Sequence, residues 1–386
     1  MTHTSPIPGY WRPIILLWLT GVIAAAALGK FASLTPLIIA DLHLTRVQAG
    51  WLVSLIEAGG ASSGIIAGQL IARAGSRRAL MLGLALLAIG GVAGASLPGI
   101  APLFAARLIE ACGYLMCVIA APSLIAHLAR PQDQGTALAL WSTFVPAGFA
   151  ISMSVSGVIA PWLGWRAPLW LWAALAALAG LAVTRLPPAP GAPPARFALP
   201  PVAVWLMCAG FGAFALLFTG LIAMMPLFLT GLGQPPAIAA MVTAAASAAT
   251  MGGAWGAAQV LKRGTLTRWM ALAAGLLIPA ALSALAFSGH DAVIADALFI
   301  ALAALSGVAS SLFFARLPHM DPHLNVAAAN GVLTQFGAGG SLIGPPLLAA
   351  VADHWGWASE GPAVAVCAAL SLGLAAVAER VARRDA

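Results

Sequence analysis

Charge is what this sequence lacks. Of its 386 residues 8% are charged and 61% hydrophobic, whereas a water-soluble domain carries about 25% charged residues. There is too little charge to cover a surface that faces water on all sides. The apolar runs do not alternate every second residue, which argues against a transmembrane β-barrel. No GxxxxGK[ST] loop is present, so the nucleotide machinery of a pump is missing. Cysteine is sparse: Cys112, Cys117, Cys208 and Cys367 fall within apolar runs, have no metal-ligand spacing, and read as small packing residues. The seven histidines lie mostly in loops, with His127 and His319 at helix ends, so neither a metal nor another cofactor is expected. No nucleophile–base set converges and no soluble domain is appended, which argues against an enzyme and against a membrane sensor.

Long apolar runs are what is there. Each can cross about 30 Å of hydrocarbon at about 1.5 Å per residue. They predict an all-α membrane protein with twelve transmembrane helices over 13–40, 47–71, 78–97, 101–128, 136–162, 167–185, 201–230, 236–260, 267–288, 292–315, 326–352 and 361–380. The proline-rich stretch LPPAPGAPPARFALPP cannot continue a helix and divides the runs six and six. The expected organisation is therefore two pseudo-symmetric six-helix bundles, 1–185 and 201–386, joined by a linker over 186–200. The first run reads as a mature helix rather than a cleavable signal. The net charge of +7 resides in loops, so it gives no reason to expect nucleic acid. Fourteen of the eighteen basic residues fall on one side of this topology, Arg46 and Arg166 on the other, and Lys30 and Arg107 inside spans. That asymmetry places both termini in the cytoplasm. Trp51, Trp162, Trp165, Trp355 and Trp357 fit the outer interface. Sixteen of the basic residues are arginine, which fits a GC-rich bacterial genome and hence a bacterial inner membrane.

The halves also repeat each other. A shift of 192 carries Gly148 onto Gly340, Ser152 onto Gly344, and Gly164–Trp165 onto Gly356–Trp357. Such duplication in one orientation is a mark of transporters that rock about a central site. Twelve spans, a central linker and this duplication resemble the major facilitator superfamily. In GQLIARAGSRR, Gly68, Arg73, Gly75 and Arg77 match that family's loop between spans two and three, while Ala72 stands in place of its aspartate and Ser76 in place of a basic residue. In RLIEACG, Arg107, Glu110 and Gly113 match its fourth-span motif, and Ala111 departs from it. The fifth span keeps Gly148 and Gly157 but has Ser152 and Met153 where many exporters of the family have Gly-Pro. Gly344–Pro345 carries that pair in span eleven. The wording of spans one, four and five is loosely similar to cyanate-transporter-like members. The resemblance implies a secondary transporter working by alternating access, with a gating loop formed by Gly68, Arg73, Gly75 and Arg77. It also implies a small-molecule substrate, protons and lipid as partners, and a monomeric chain.

The rarest charges are the most informative. A charge within a span costs at least a few kcal/mol and usually has a partner and a purpose. Lys30 sits about ten residues, roughly 15 Å, below the outer face. Glu57, Arg107 and Glu110 fall in the same outer half, and Arg107 and Glu110 share one helix face. Two arrangements follow: Lys30 paired with Glu57, or one neutral four-charge cluster. Two roles also follow. The charges brace the N-terminal half, or they serve transport, since the resemblance implies that spans one, four, seven and ten line the cavity. In the second role Lys30 and Arg107 bind an anionic solute, suited by the donor fork of arginine, and Glu57 or Glu110 carries the proton. Trp141, beside Ser142 and Thr143, is expected at the cavity. Asn330 and Gln335 can bond either substrate or a neighbouring helix. Asp296 reads as interfacial, Phe211, Phe214 and Phe218 as a packing face, and Pro36, Pro146 and Pro226 as points of bending. A proton-driven exporter of amphipathic drugs or metabolites is the rival reading.

Overall fold

A computed structural model describes residues 11–187, 200–317, 320 and 326–385. Fourteen α-helices run in chain order among them. They are α1 (Trp11–Leu42), α2 (Arg46–Ser54), α3 (Ala58–Ala74), α4 (Ser76–Ser96), α5 (Ile100–Leu128), α6 (Gln134–Ser142), α7 (Phe144–Leu163) and α8 (Arg166–Val183). After the divide come α9 (Val202–Gly231), α10 (Pro236–Val260), α11 (Thr265–Ser288), α12 (Ala292–Arg316), α13 (Val326–Trp355) and α14 (Glu360–Asp385). Of the expected 186–200 linker, residues 188–199 lie outside the described residues, as do His319 and the side chain of Asn330.

Among the described residues ten helical segments are long and apolar enough to cross a membrane. Two expected spans are not among them. The span over 47–71 is not one helix: α2 ends at Ser54, a 3-10 turn occupies Leu55–Glu57, and α3 begins at Ala58. The other, α13, is 30 residues long, but several glycines and Pro345–Pro346 dilute its apolar character. Span five is also divided, into α6 and α7, at Thr143. Pro146, three residues on, has no N–H to return to Ser142, so the interruption has a local cause.

Local sequence explains the ends of these elements. Thr45 and Gln48 form a reciprocal capping box at the start of α2, at 3.1 and 2.9 Å. Gly164 (φ +80°) and Gly356 (φ +78°) end α7 and α13 in the left-handed region, which glycine adopts without a Cβ clash. These residues are the repeat-related Gly-Trp positions, and they adopt the same backbone conformation 192 residues apart.

Packing follows small residues. Within 11–187, α1 lies on α7 and α5, and α4 on α5 and α8. Within 200–385, α9 lies on α13 and α14, α10 on α12, and α11 on α12 and α14. Between these sets, α2 and α3 meet α13, and α7 meets α10. The separation of α3 from α13 grows along the pair. A Cβ on Gly60 lies 2.8 Å from Ala338, one on Gly64 lies 3.7 Å from Gln335, and one on Gly68 meets nothing within 4 Å. At the other end a Cβ on Gly50 would lie 2.8 Å from the Pro345–Pro346 backbone, and one on Gly157 would run into Ala240. Among the described residues, α3 and α13 therefore lie closest at the end carrying Arg46 and part towards Gly68.

Candidate functional site

The buried charges form a group of three. Lys30, on α1, is 1% exposed, and its Nζ lies 2.6 Å from Glu110 Oε1 on α5. Arg107, one turn before Glu110, is 0% exposed, and its Nη1 lies 2.5 Å from Glu110 Oε2. The same guanidinium donates to the carbonyls of Ala27, Leu52 and Val53, each at 2.9 Å. Four of its five N–H groups are thus consumed. Phe31 closes the group, its ring centroid 4.5 Å from the guanidinium carbon and 5.4 Å from Lys30 Nζ. Gly90 makes room on α4, since a Cβ there would lie 2.6 Å from Glu110 Cγ.

The expected Lys30–Glu57 pair is not formed. Glu110 occupies both cations, and Glu57 lies on the 3-10 turn, whose preceding residues Leu52 and Val53 give their carbonyls to Arg107. The guanidinium thereby holds the break that directs Glu57 elsewhere. Glu57 is half-buried and makes no hydrogen bond or ion pair with any described residue. Glu57 is among the residues lining a small cavity between helices from the two ends of the chain: α1 gives Leu28 and Ala32, α2 gives Ser54, α7 gives Phe149, α9 gives Thr219 and Ile222, and α13 gives Ser341 and Pro345. Ser54 Oγ is buried without a partner. The lining is mostly apolar, with Glu57 as its one acidic residue and Ser54, Thr219 and Ser341 as its hydroxyl residues; none of the described lining residues is cationic.

Lys30 and Arg107 do not line this cavity, and neither do Trp141 and Gln335. Trp141 stacks on Phe144 at 4.3 Å and packs beside Gly21, while Gln335 is half-buried towards Gly64. Asp296 accepts a bond from Gln234 at 2.8 Å. Phe214 stacks with Phe218 and meets Phe211 and Phe313, a packing face. Arg73 is exposed in the last turn of α3, and Gly75, between α3 and α4, has φ +90°. Arg77 donates to Val183 O at 3.3 Å and to Thr184 O, which ties α4 to the end of α8 within one half. Ser54, Thr219 and Ser341 were missed in the sequence; hydroxyls in otherwise apolar spans were their only signal.

A further link was also missed. Arg46 Nη1 lies 3.0 Å from Asp353 Oδ1, and its guanidinium stands over the Trp357 ring at 5.0 Å. It joins α2 to α13 at the closed end. The partners are 40% and 32% exposed, so a coupling of about 1 kcal/mol or less is expected between Arg46→Ala and Asp353→Ala in a double-mutant cycle of thermal unfolding. Strict additivity would show that the pair contributes nothing to closure.

A sequence profile of the Major Facilitator Superfamily matches residues 17–345. The chain belongs to the major facilitator superfamily. Its fold agrees with a solved one: a bacterial homolog of the human lysosomal transporter Spinster, described as inward-facing and occupied, superposes with a TM-score of 0.79 at 17% identity over 98% of each chain. Among curated relatives, the uncharacterized transporter YycB of Bacillus subtilis is 30% identical over 184 residues, covering 46% of this chain and 44% of that one. A chloramphenicol resistance protein of Streptomyces lividans is 29% identical over 201 residues, 50% of each chain. The arabinose-proton symporter of Escherichia coli K12 is 25% identical over 170 residues, 44% of this chain and 36% of that one. The chain thus spans about half or less of the length of these curated relatives.

Proposed function

We propose that this superfamily member is a secondary active transporter of the bacterial inner membrane. It moves a small organic solute or anion by alternating access, coupled to protons, between six-helix bundles 1–185 and 201–386, with both termini and the 186–200 linker in the cytoplasm and twelve spans in all. The observation that carries the reading is the cavity between those two sets of helices, whose lining includes Glu57, an acidic residue paired with no described residue. Glu57 carries the coupling proton. Lys30, Arg107 and Glu110 act as a set beneath it: they hold the 3-10 turn and supply its field. Trp141 and Gln335 border the pathway, and the loop of Gly68, Arg73, Gly75 and Arg77 gates the splayed end. One chain suffices for this cycle. The arabinose-proton symporter among the relatives supports proton coupling.

The rival, a proton-driven exporter of amphipathic drugs or metabolites, is favoured by the apolar walls at Leu28, Ile222 and Pro345 and by the chloramphenicol resistance relative.

The test is flux in proteoliposomes with an imposed proton gradient and labelled benzoate, chloramphenicol or tetraphenylphosphonium. Wild type is expected to accumulate at least one of them against its gradient. Glu57→Gln is expected to lose accumulation at least tenfold while retaining exchange of the same solute. Absence of gradient-driven flux for all three would sink the transporter reading. Unimpaired accumulation by Glu57→Gln would remove Glu57 from the coupling step.

A further inference from the structure

The buried charges do not sum to zero among themselves. Lys30 and Arg107 share the single carboxylate of Glu110, which leaves one net positive charge in a site whose members are 1% exposed or less. An apolar surrounding tolerates such a charge only with a counter-charge at hand. Glu57 is that counter-charge. It touches neither cation, but Arg107 acts on it electrostatically across the turn. The other groups facing it are few. Tyr114 of α5 lies within its field. Helices α3 and α13 pack against the turn with Gly60 and Ala338. The titratable residues of α13 lie far along it: Asp353 is paired with Arg46, and His354 bonds to Ala350 O. Arg46 and Arg73 lie at the remote ends of α2 and α3.

Ionised Glu57 therefore neutralises the buried set in the empty site. When Glu57 takes up a proton, its carboxylate becomes a carboxylic acid, no other bond changes, and the positive charge is left uncompensated beside the cavity. A monovalent anion entering then restores neutrality. A cation entering the empty site would instead raise the sum to plus one. A donor for an anion borders the cavity: the Ser54 hydroxyl, on a lining residue 2% exposed, is buried without a partner among the described residues. The new O–H of Glu57 is a second donor. Thr219 already donates its hydroxyl to Ala215 O at 2.6 Å.

We propose that the cavity binds a monovalent organic anion with an apolar body together with one proton, the anion replacing ionised Glu57 as the counter-charge of the Lys30–Glu110–Arg107 set. The inference rests on the transport reading above and adds the substrate class and the stoichiometry. One anion and one proton make each transfer electroneutral.

The test uses purified full-length protein in detergent, with benzoate and hexanoate as anions, tetraphenylphosphonium as cation and benzamide as neutral control. Ligand binding to the folded state raises its thermal midpoint. For wild type, anion affinity is expected to rise about tenfold per unit fall in pH while free Glu57 is ionised, because one proton enters with each anion. Glu57→Gln fixes the neutral form. It is expected to bind benzoate at every pH about as tightly as wild type at low pH, with no slope. Its ligand-free midpoint and gel-filtration profile check folding. Ser54→Ala is expected to weaken benzoate several-fold and leave the pH slope unchanged. In proteoliposomes, benzoate uptake is expected to be unaffected by an imposed membrane potential. Neither anion binding at any pH, anion binding lost in Glu57→Gln, or tetraphenylphosphonium binding that depends on Glu57 would each overturn the inference. Proton-driven flux of chloramphenicol or tetraphenylphosphonium with no anion bound would overturn the anion assignment and leave the transport reading standing. No flux of any solute would remove both.

Discussion

Glu110→Ala is expected to destabilise the protein by about 3–5 kcal/mol, because it leaves two buried cations with no carboxylate between them. Lys30 loses its partner at 2.6 Å and Arg107 loses its partner at 2.5 Å in one substitution. The lost contacts are the smaller part of the cost. The larger part is the two uncompensated charges in an apolar site, since removing one member of a buried pair is far more damaging than removing the pair. That difference supplies the control. Lys30→Met combined with Glu110→Gln removes one charge of each sign, leaving Arg107 on its three carbonyls and balanced by Glu57. The double variant is expected to recover most of the loss. Thermal unfolding in detergent and the folded fraction after extraction measure both. Glu110→Ala unfolding within about 1 kcal/mol of wild type, or a double variant no better than the single, would show that charge balance does not hold this site together.

The two links in that argument were not equally legible in the sequence. Membrane class followed from composition, and the shared face of Arg107 and Glu110 from their spacing of three. The partner of Lys30 did not follow. Counting residues from the outer face puts Glu57 and Glu110 at similar depth, and depth does not fix the rotation of a helix about its axis. Rotation is set by close approaches such as Gly90 on Glu110 and Gly59 on Ala111, where an added Cβ would lie 2.9 Å from the Ala111 carbonyl oxygen. Those are pairwise facts that one sequence does not display. The break at Leu55–Glu57 is harder still. No proline or glycine occupies it, and the group that takes its neighbouring carbonyls is Arg107, more than fifty residues away. The break at Thr143 was readable in principle, because Pro146 lies one turn beyond. Arg46 and Asp353 are 307 residues apart, so their pairing had no local signal. The fourth-span resemblance singled out Arg107 and Glu110. It could not say that both would be spent on each other, on Lys30 and on backbone, leaving Glu57 to line the cavity.

Gly340→Ala is expected to destabilise by about 1–3 kcal/mol, while Gly339→Ala, its neighbour, is expected to be neutral or slightly stabilising. Helices α9 and α13 pack along matched rows of small residues. A Cβ on Gly340 would run into the carbonyl of Gly212, and one on Gly344 into the carbonyl of Leu216. From the other side, a Cβ on Gly212 would lie 3.0 Å from Phe336 O, and one on Gly220 would lie 2.6 Å from Leu348 Cδ1 and 3.0 Å from Gly344 O. The obstacles are mostly main-chain oxygens, which cannot turn aside as a flexible side chain can. The helices must therefore separate along their length. This is the close backbone approach by which small residues join helices in a bilayer, where lipid supplies no hydrophobic drive between them. Gly339 points where nothing lies within 4 Å, so its methyl group adds helix propensity without a clash. The pair of variants separates packing from propensity on adjacent residues of one helix. The consequence reaches the cavity as well, since Thr219 on α9 and Ser341 on α13 line it from the two sides of this seam. Gly340→Ala is accordingly expected to weaken ligand stabilisation in addition to lowering the thermal midpoint, whereas Gly339→Ala changes neither by more than a fraction of the Gly340 effect. Equal midpoints for the two variants would mean that α9 and α13 are not in backbone contact at Gly340, and the seam between Thr219 and Ser341 would have to be held by other residues.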